Sequence, residues 1–534
     1  MVSSVYPAAL RIPFSLAAQA AHDVSGGLND TPPPSAGGYL DDFREQKFLD
    51  VADGRLRAAI TVQTVLAVVA LLVLASKIAS YIRLCHIPGP FLAAVSDIVR
   101  FRWVLGRKAH RIHIAVHEQY GDLVRIGPNA VSVGDPREIA QIYGFTGKFK
   151  KSDFYSVILP MSKGKILPGL FATQDEGIHS MLKKPIAAIY SMTNLVQFEP
   201  AVDSTIRCFC DQLDARFAQP QAPCSFSDWL QYFAFDVIGE ITFSSRLGFL
   251  ETGTDVENIM ADIWRFFEYV GPVGQMPWLD RVWVKNPVVS RLRKPGRDFL
   301  SRFLAAKAKD PSGTAIPDWA VLAWAQSNIT AGSDTTAIFL RTLFYNLLRH
   351  PATLAKLRAE LDAAAARGQL SEIAAWQQTR QLPYLGACIK EAGRIHPPFG
   401  LQLERVVPEG GATISGKFIP QGTIVGMNAW VVHRHAQTFG ADADAWNPDR
   451  WLGGDNDVDR LKNMDRSLLT FGAGHRSCIG KNISQLEIYK LVPTLLQRYD
   501  IALASEAEEW DVQNRWFVAQ FNFNVMLKQR EQIS

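Results

Sequence analysis

The run FGAGHRSCIG, Phe471 to Gly480, sets a single cysteine, Cys478, among small residues, with Arg476 close by. A thiolate needs an electropositive neighbour and an open line of approach. Gly472, Gly474 and Gly480 let a flat cofactor come close to the backbone. Ile483, Leu486, Ile488, Leu491 and Leu495 follow at roughly helical spacing. Cys478 is therefore expected in a tight loop that leads into a long buried helix. A thiolate so placed suits the axial position of haem iron, where it pushes electron density onto the metal and favours O–O cleavage.

Two further constellations carry charge into apolar sequence. AGSDTT, Ala331 to Thr336, interrupts a strongly apolar run. Its hydroxyls can bond carbonyls four residues earlier and open the helix locally, while a buried Asp334 needs a partner. It reads either as a small-residue helix crossing with a paired acid or as a proton path beside a reactive centre. EAGR, Glu391 to Arg394, puts opposite charges three residues apart on one helical face. WNPDRW adds Arg450 between tryptophans. Glu391, Arg394 and Arg450 are read as a buried charged triad that specifies geometry rather than adding stability, against ordinary surface ion pairs.

These residues need a scaffold. Trp319 to His350 reads as one long helix, apolar on most faces and so buried in a large core. Pro136 to about Leu370 is mostly helical in pattern. RIGPNAVSVG, Arg125 to Gly134, reads as a hairpin, and ERVVP and TISGKFIP as short strands. The fold class is mainly α with small β-sheets, as one large domain. The 534 residues allow such a core, and the formal net charge of +4, with no basic block, argues against nucleic-acid binding. The six cysteines form no CxxC pair, which disfavours zinc and a disulfide framework. Cys208 and Cys210 read as ordinary helix residues.

Ala58 to Ser76 is uncharged and mostly Ala, Val and Leu. As a helix it spans roughly 28 Å, close to the apolar thickness of a bilayer. The expected division is an N-terminal lumenal arm at 1–57, partly disordered, a transmembrane helix at 58–83, and a catalytic domain at 84–534. Arg100, Arg102, Arg107, Lys108 and Arg111 downstream, against Asp41, Asp42, Glu45, Asp50 and Asp53 upstream, predict a cytosolic body. Ala8 to Ala21 is mildly apolar but too short to span.

In order, IPGP, AGSDTT, EAGR, NPDRW and FGAGHRSCIG resemble the cytochrome P450 family of haem-thiolate monooxygenases, over about Pro88 to Phe523. RIGPNAVSVGDP and KEAGRIHPP resemble fungal microsomal members of the pisatin demethylase-like group. The resemblance implies haem b, with Cys478 as axial ligand and Arg476, His179, Lys183 and Arg405 on its propionates. It implies Asp334 and Thr335 as the acid–alcohol pair that delivers protons to bound O2, and Glu391, Arg394 and Arg450 as the structural triad. Lys183 stands where arginine is commoner, giving a point charge instead of a fork. His435 stands where the family often has Asp, which alters a local turn.

By the same resemblance, an NADPH–cytochrome P450 reductase carrying FAD and FMN supplies electrons, with cytochrome b5 as a further donor. Lys183, Lys184, Lys481 and Lys490 are candidate docking residues. The implied location is the endoplasmic reticulum membrane, single-pass, with a cytosolic catalytic domain. The substrate is expected to be a largely apolar small molecule of fungal secondary metabolism. Ser327, Ala331, Phe399, Leu401 and Phe517 are pocket candidates, with Gln326, Ile329, Gly400, Gln402, Trp516 and Val518 around them. Ile263 to Met276 is expected to form a mobile access segment. The rival readings are a haem enzyme performing a rearrangement, dehydration or peroxide-driven reaction, and a membrane-tethered binding protein.

Overall fold

The computed structural model describes residues 61–145, 148–162, 165–286, 318–507 and 509–531. The chain divides into two units, Met1–Ala75 and Ser76–Ser534. Within the described residues, the apolar stretch forms helix α1, Thr61–Arg83, 23 residues long, with its apolar length unburied. Val65, Leu66, Leu71 and Leu72 are exposed. At about 34 Å it is long enough to cross a bilayer. The expected arm at 1–57, its Ala8–Ala21 patch and the first three residues of the expected span lie outside the described residues.

In the larger unit, the Arg125–Gly134 hairpin forms as expected. Strands β1 (Leu123–Gly127) and β2 (Ala130–Val133) pair antiparallel. With β3 (Lys150–Lys151), β4 (Arg405–Val406) and β5 (Ile424–Gly426) they make a five-stranded sheet of order β1-β2-β5-β4-β3. Only the β2–β5 contact is parallel among its pairings. TISGKFIP forms the hairpin Ala412–Ile414 with Lys417–Ile419.

The rest of this unit is dominated by helices. Those that matter for the site are α2 (Glu176–Lys183), α3 (Glu199–Leu213), α4 (Phe226–Phe243), α5 (Ile259–Val273), α6 (Asp318–Arg349), α7 (Pro383–Ile395) and α8 (Lys481–Arg498). α6 matches the expected long helix almost to the residue. Ile338, Phe339, Leu340, Leu343, Phe344 and Leu347 are all buried, so it is apolar around most of its circumference. α4 packs along it. Gly332 permits this, since a Cβ there would lie 3.2 Å from the Ile238 side chain.

The expected access segment is mostly α5. Phe267 and Val270 are buried, and the Phe267 ring lies 4.4 Å from that of Phe517. Ile263 and Phe267 repeat at helical spacing, so the aromatic run lies on a packed helix face. His435 precedes the short helix Ala436–Phe439, with Nδ1 2.9 Å from Thr438 Oγ1.

Candidate active site

Cys478 sits in the expected loop, one turn ahead of α8. Its backbone N–H donates to Phe471 O at 2.8 Å, closing the loop. Gly474 has φ +65° and a Cβ there would fall 1.8 Å from Tyr143 O, so only glycine fits. The thiol is accessible from a cavity lined also by Thr335, Thr336, Phe339, Phe399 and Leu401. That cavity encloses about 1590 Å³, part of it open to solvent. Burial pushes the thiol's pKa up. The N–H groups of Gly480 and Lys481 and the ammonium groups of Lys481 and Lys183 pull against it. A metal ion would supply the missing stabilisation of the thiolate.

The same cavity collects basic side chains. Arg476, His179, Lys183 and Arg405 all line it, and so does Lys151, which sequence reasoning passed over. The sheet register sets Lys151 directly opposite Arg405. Like charges so placed repel. Lys151 is buried between the rings of Tyr155 and Phe171, at 4.1 and 4.0 Å, and among the described residues its ammonium bonds only the Phe171 carbonyl. Burial, then Arg405 and Arg476, hold its pKa well below the usual value.

One carboxylate answers this cluster. Glu176, at the start of α2, lies 2.8 Å from Arg476 Nη2 and 3.1 Å from His475 Nε2. Burial pushes Glu176 up, but the bond and charge of Arg476 outweigh it and its pKa falls below the ordinary range. His179 is lowered to about 4 by burial and by Arg476, so it is a neutral donor. Lys183 donates to His475 O at 2.7 Å. Arg476 Nη1 is buried without a partner. Among the described residues, four cations against one carboxylate, with Arg476 Nη1 bare and Lys151 held by a single carbonyl, fit a flat ligand carrying two carboxylates, and Cys478 in the same cavity fits its metal. Haem b has that chemistry.

Asp334 and Thr335 do not face the same space. Thr335 lines the cavity and donates to Ala331 O at 2.7 Å. Asp334 is fully buried on the α4 side, where Gln231 Nε2 donates to its Oδ1. Successive helical residues diverge by about 100°, which separates them. Thr336 faces the cavity and meets Ser484 Oγ at 3.2 Å. Of the pocket candidates, Ser327, Ala331, Phe399 and Leu401 line the cavity. Phe517 lines an adjoining lobe with Gln326, Thr330, Phe267 and Trp516. Ile329 packs into the core, and Gly400, Gln402 and Val518 lie outside both lobes.

The charged triad forms as expected. Arg394 reaches Glu391 at 2.7 Å, and Arg450 Nε reaches the same oxygen at 3.0 Å. Both residues of α7 are completely buried. Trp451 Nε1 and the Asn447 N–H, each at 2.9 Å, complete Glu391.

Lys490, one of the four docking candidates, is buried and ion-paired to Glu199 and Asp203 at 2.6 and 2.8 Å, so it presents nothing to a partner. Its position on the inner face of α8 put it there. Lys183 likewise points into the cavity region, while Lys184 and Lys481 are exposed.

The chain matches the family profile "Cytochrome P450" over residues 88–287 and 285–528. It is 56% identical over 477 residues to a cytochrome P450 monooxygenase of Aspergillus terreus, covering 83% of this chain and 96% of that relative. It is 53% identical over 479 residues to the cytochrome P450 monooxygenase cicH of Emericella nidulans, covering 85% and 95% respectively. A third relative, the cytochrome P450 monooxygenase mpaDE' of Penicillium brevicompactum, is 44% identical over 87% of this chain and 57% of its own length. The chain belongs to the cytochrome P450 family.

Proposed function

We propose that this cytochrome P450 is a haem-thiolate monooxygenase that inserts one oxygen atom of O2 into a largely apolar small molecule, an intermediate of fungal secondary metabolism. The observation that carries this reading is one cavity holding both the Cys478 thiol and an unbalanced set of buried cations. Haem b, when bound, supplies the one-electron chemistry that activates dioxygen. Cys478 Sγ would hold its iron. Arg476, Arg405, Lys183, His179 and Lys151 would hold its propionates, with Glu176 sharing Arg476.

Thr335 gives its own hydrogen to Ala331 O, so its oxygen lone pairs are free to accept from water or a protic group in the cavity. Thr336 and Ser484 fix α6 against α8 at the level of the cysteine loop. Phe399, Leu401, Phe339, Phe171 and Ile238 keep the lining apolar and exclude water. Ser327 and Asn328 supply the polar groups that can orient a substrate.

In this reading the chain falls in the pisatin demethylase-like group. It is anchored by α1 in the endoplasmic reticulum membrane, with its catalytic domain in the cytosol. Electrons come from the NADPH–cytochrome P450 reductase, docked in part on Lys184 and Lys481, with cytochrome b5 as a second donor. The test is spectral. Reduced full-length protein under carbon monoxide is expected to give the thiolate-type Soret shift, which Cys478→Ser abolishes while the fold persists. With reductase and a substrate found by its spin-state shift, one atom of labelled O2 is expected in the product. A folded protein with no such Soret shift sinks the reading.

A further inference from the structure

Asp334 and Arg341 are separated by two helical turns on α6, on the face turned to α4. Gln231 of α4 lies between them. Its Nε2 donates to Asp334 Oδ1, and its Oε1 accepts from Arg341 Nη2. Arg341 also gives Nε to Ser227 O at 2.8 Å. All three side chains are at most 2% exposed. An arginine only donates, so the Gln231 oxygen must face Arg341 and its NH2 must face Asp334. The amide orientation is thereby fixed by chemistry. Among the described residues Asp334 Oδ2 is buried without a partner, and it is the oxygen left open to a proton.

We propose that Gln231 and Arg341 are positioning residues for Asp334: they hold its carboxyl behind α6, away from the cavity face carrying Thr335, and govern its proton exchange through Oδ2. The catalytic consequence rests on the oxygenase reading above; the positioning itself does not. Burial pushes the Asp334 carboxyl up to about 7, with Arg341 and the Gln231 bond opposing and Asp255 reinforcing. Asp228 of α4 acts on Arg341, whose own pKa burial lowers to about 10. From the strand Val518–Phe521 the group that reaches this region is neutral Gln520, which bonds Thr342 Oγ1 at 2.8 Å. The carboxyl thus exchanges its proton near neutral pH, with a single amide deciding where it points. Release of the Gln231 contact is what would turn Oδ2 toward the Thr335 side.

The experiment is an infrared pH titration of the haem-bound full chain, following the protonated-carboxyl stretch that Asp334→Asn removes. Wild type is expected to titrate near pH 7. Gln231→Leu and Gln231→Met each remove the bond that favours the carboxylate, and the midpoint is expected to rise by roughly one pH unit. Arg341→Lys keeps the charge but loses the planar fork that meets Ser227 O and Gln231 Oε1, and a smaller rise is expected. The pH profile of peroxide released per NADPH is expected to move with the midpoint, while Ser484→Ala leaves the midpoint in place. An unmoved midpoint in either Gln231 variant, in protein that still gives the thiolate-type carbon monoxide band, overturns the inference alone. A moved midpoint in protein without that band overturns the oxygenase reading and leaves the inference standing.

Discussion

Arg394→Met is the sharpest test of how the cysteine loop is held. Arg394 makes two bonds to Glu391, at 2.8 and 2.7 Å, and gives Nη1 and Nη2 to the carbonyls of His433, Ala443 and Ala445. Methionine fills much of the volume and removes every donor. Breaking a buried ion pair from one side costs about 3–5 kcal/mol. Arg450, Trp451 and Asn447 still serve Glu391, which argues for the lower end of that range. Three carbonyls lose a charged donor, each worth about 1–3 kcal/mol when left bare, and these terms overlap. A net loss of about 4–6 kcal/mol is expected, a large part of the ~5–15 kcal/mol a domain has.

The damage should also travel. His433 Nδ1 bonds Arg394 O at 3.0 Å, and its Nε2 accepts from Leu469 N at 2.8 Å. Thr470 Oγ1 donates to Gly393 O at 2.8 Å. Leu469 and Thr470 lead directly into the loop that ends on Cys478. Denaturant unfolding of the haem-bound protein, read beside its reduced carbon monoxide spectrum, is the assay. Arg394→Lys, which keeps the charge and loses the fork, should fall between wild type and Arg394→Met. An unfolding free energy for Arg394→Met within about 0.5 kcal/mol of wild type would refute the chain of contacts drawn from α7 to the loop.

Lys151→Met should raise the melting temperature of haem-free protein, because a buried cation with no carboxylate partner disappears. It should at the same time speed haem loss to an apomyoglobin acceptor about fivefold to tenfold, and the opposite signs separate a ligand contact from a structural one. His110, His113, His117, His396 and His433 are lowered by burial to between about 2 and about 4. Their folded values lie below the unfolded one, so stability is present above about pH 6.5 and lost as pH falls. At pH 5.5 the five together remove on the order of 7 kcal/mol, and acid unfolding should set in below pH 6 by circular dichroism. Asp334, raised to about 7, has the opposite sign: its neutral form is favoured in the fold, so its contribution falls as pH rises from about 4 to 7. Asp334→Asn should therefore gain on wild type between pH 5 and pH 8 in thermal melts. Thr335→Ala should leave haem binding intact and divert reducing equivalents to peroxide, with product per NADPH falling about tenfold or more.

What could be read in the sequence was local. The Cys478 loop, the α7 pair of Glu391 and Arg394, and the small residues of α6 each fit in ten residues or fewer, and backbone sterics or helical spacing makes them speak. Lys151 was silent because KFKKSDFY looks like a solvated basic run. Only the pairing of β3 with β4, two short strands some 250 residues apart, buries it beside Arg405. Lys490 misled for the converse reason. A lysine on a helix is taken as surface, yet Glu199 and Asp203 of α3 meet it in the interior.

α4 shows why a polar residue in an apolar helix is an ambiguous signal. WLQYFAFDVIG carries two, Gln231 and Asp236, five residues apart. Asp236 accepts from the backbone N–H groups of Leu247, Gly248, Phe249 and Leu250, at 2.7 to 3.3 Å, and so ties down the start of the next short helix. Asp334, on the facing helix, has a single amide donor and one bare oxygen. Burial raises the pKa of both acids. Four backbone donors fix one carboxylate in place, and moving it would strand them all. One side-chain amide can let go of the other at the cost of a single bond. The number and kind of donors, and not burial, separates the acid locked into the fold from the acid held by one side chain.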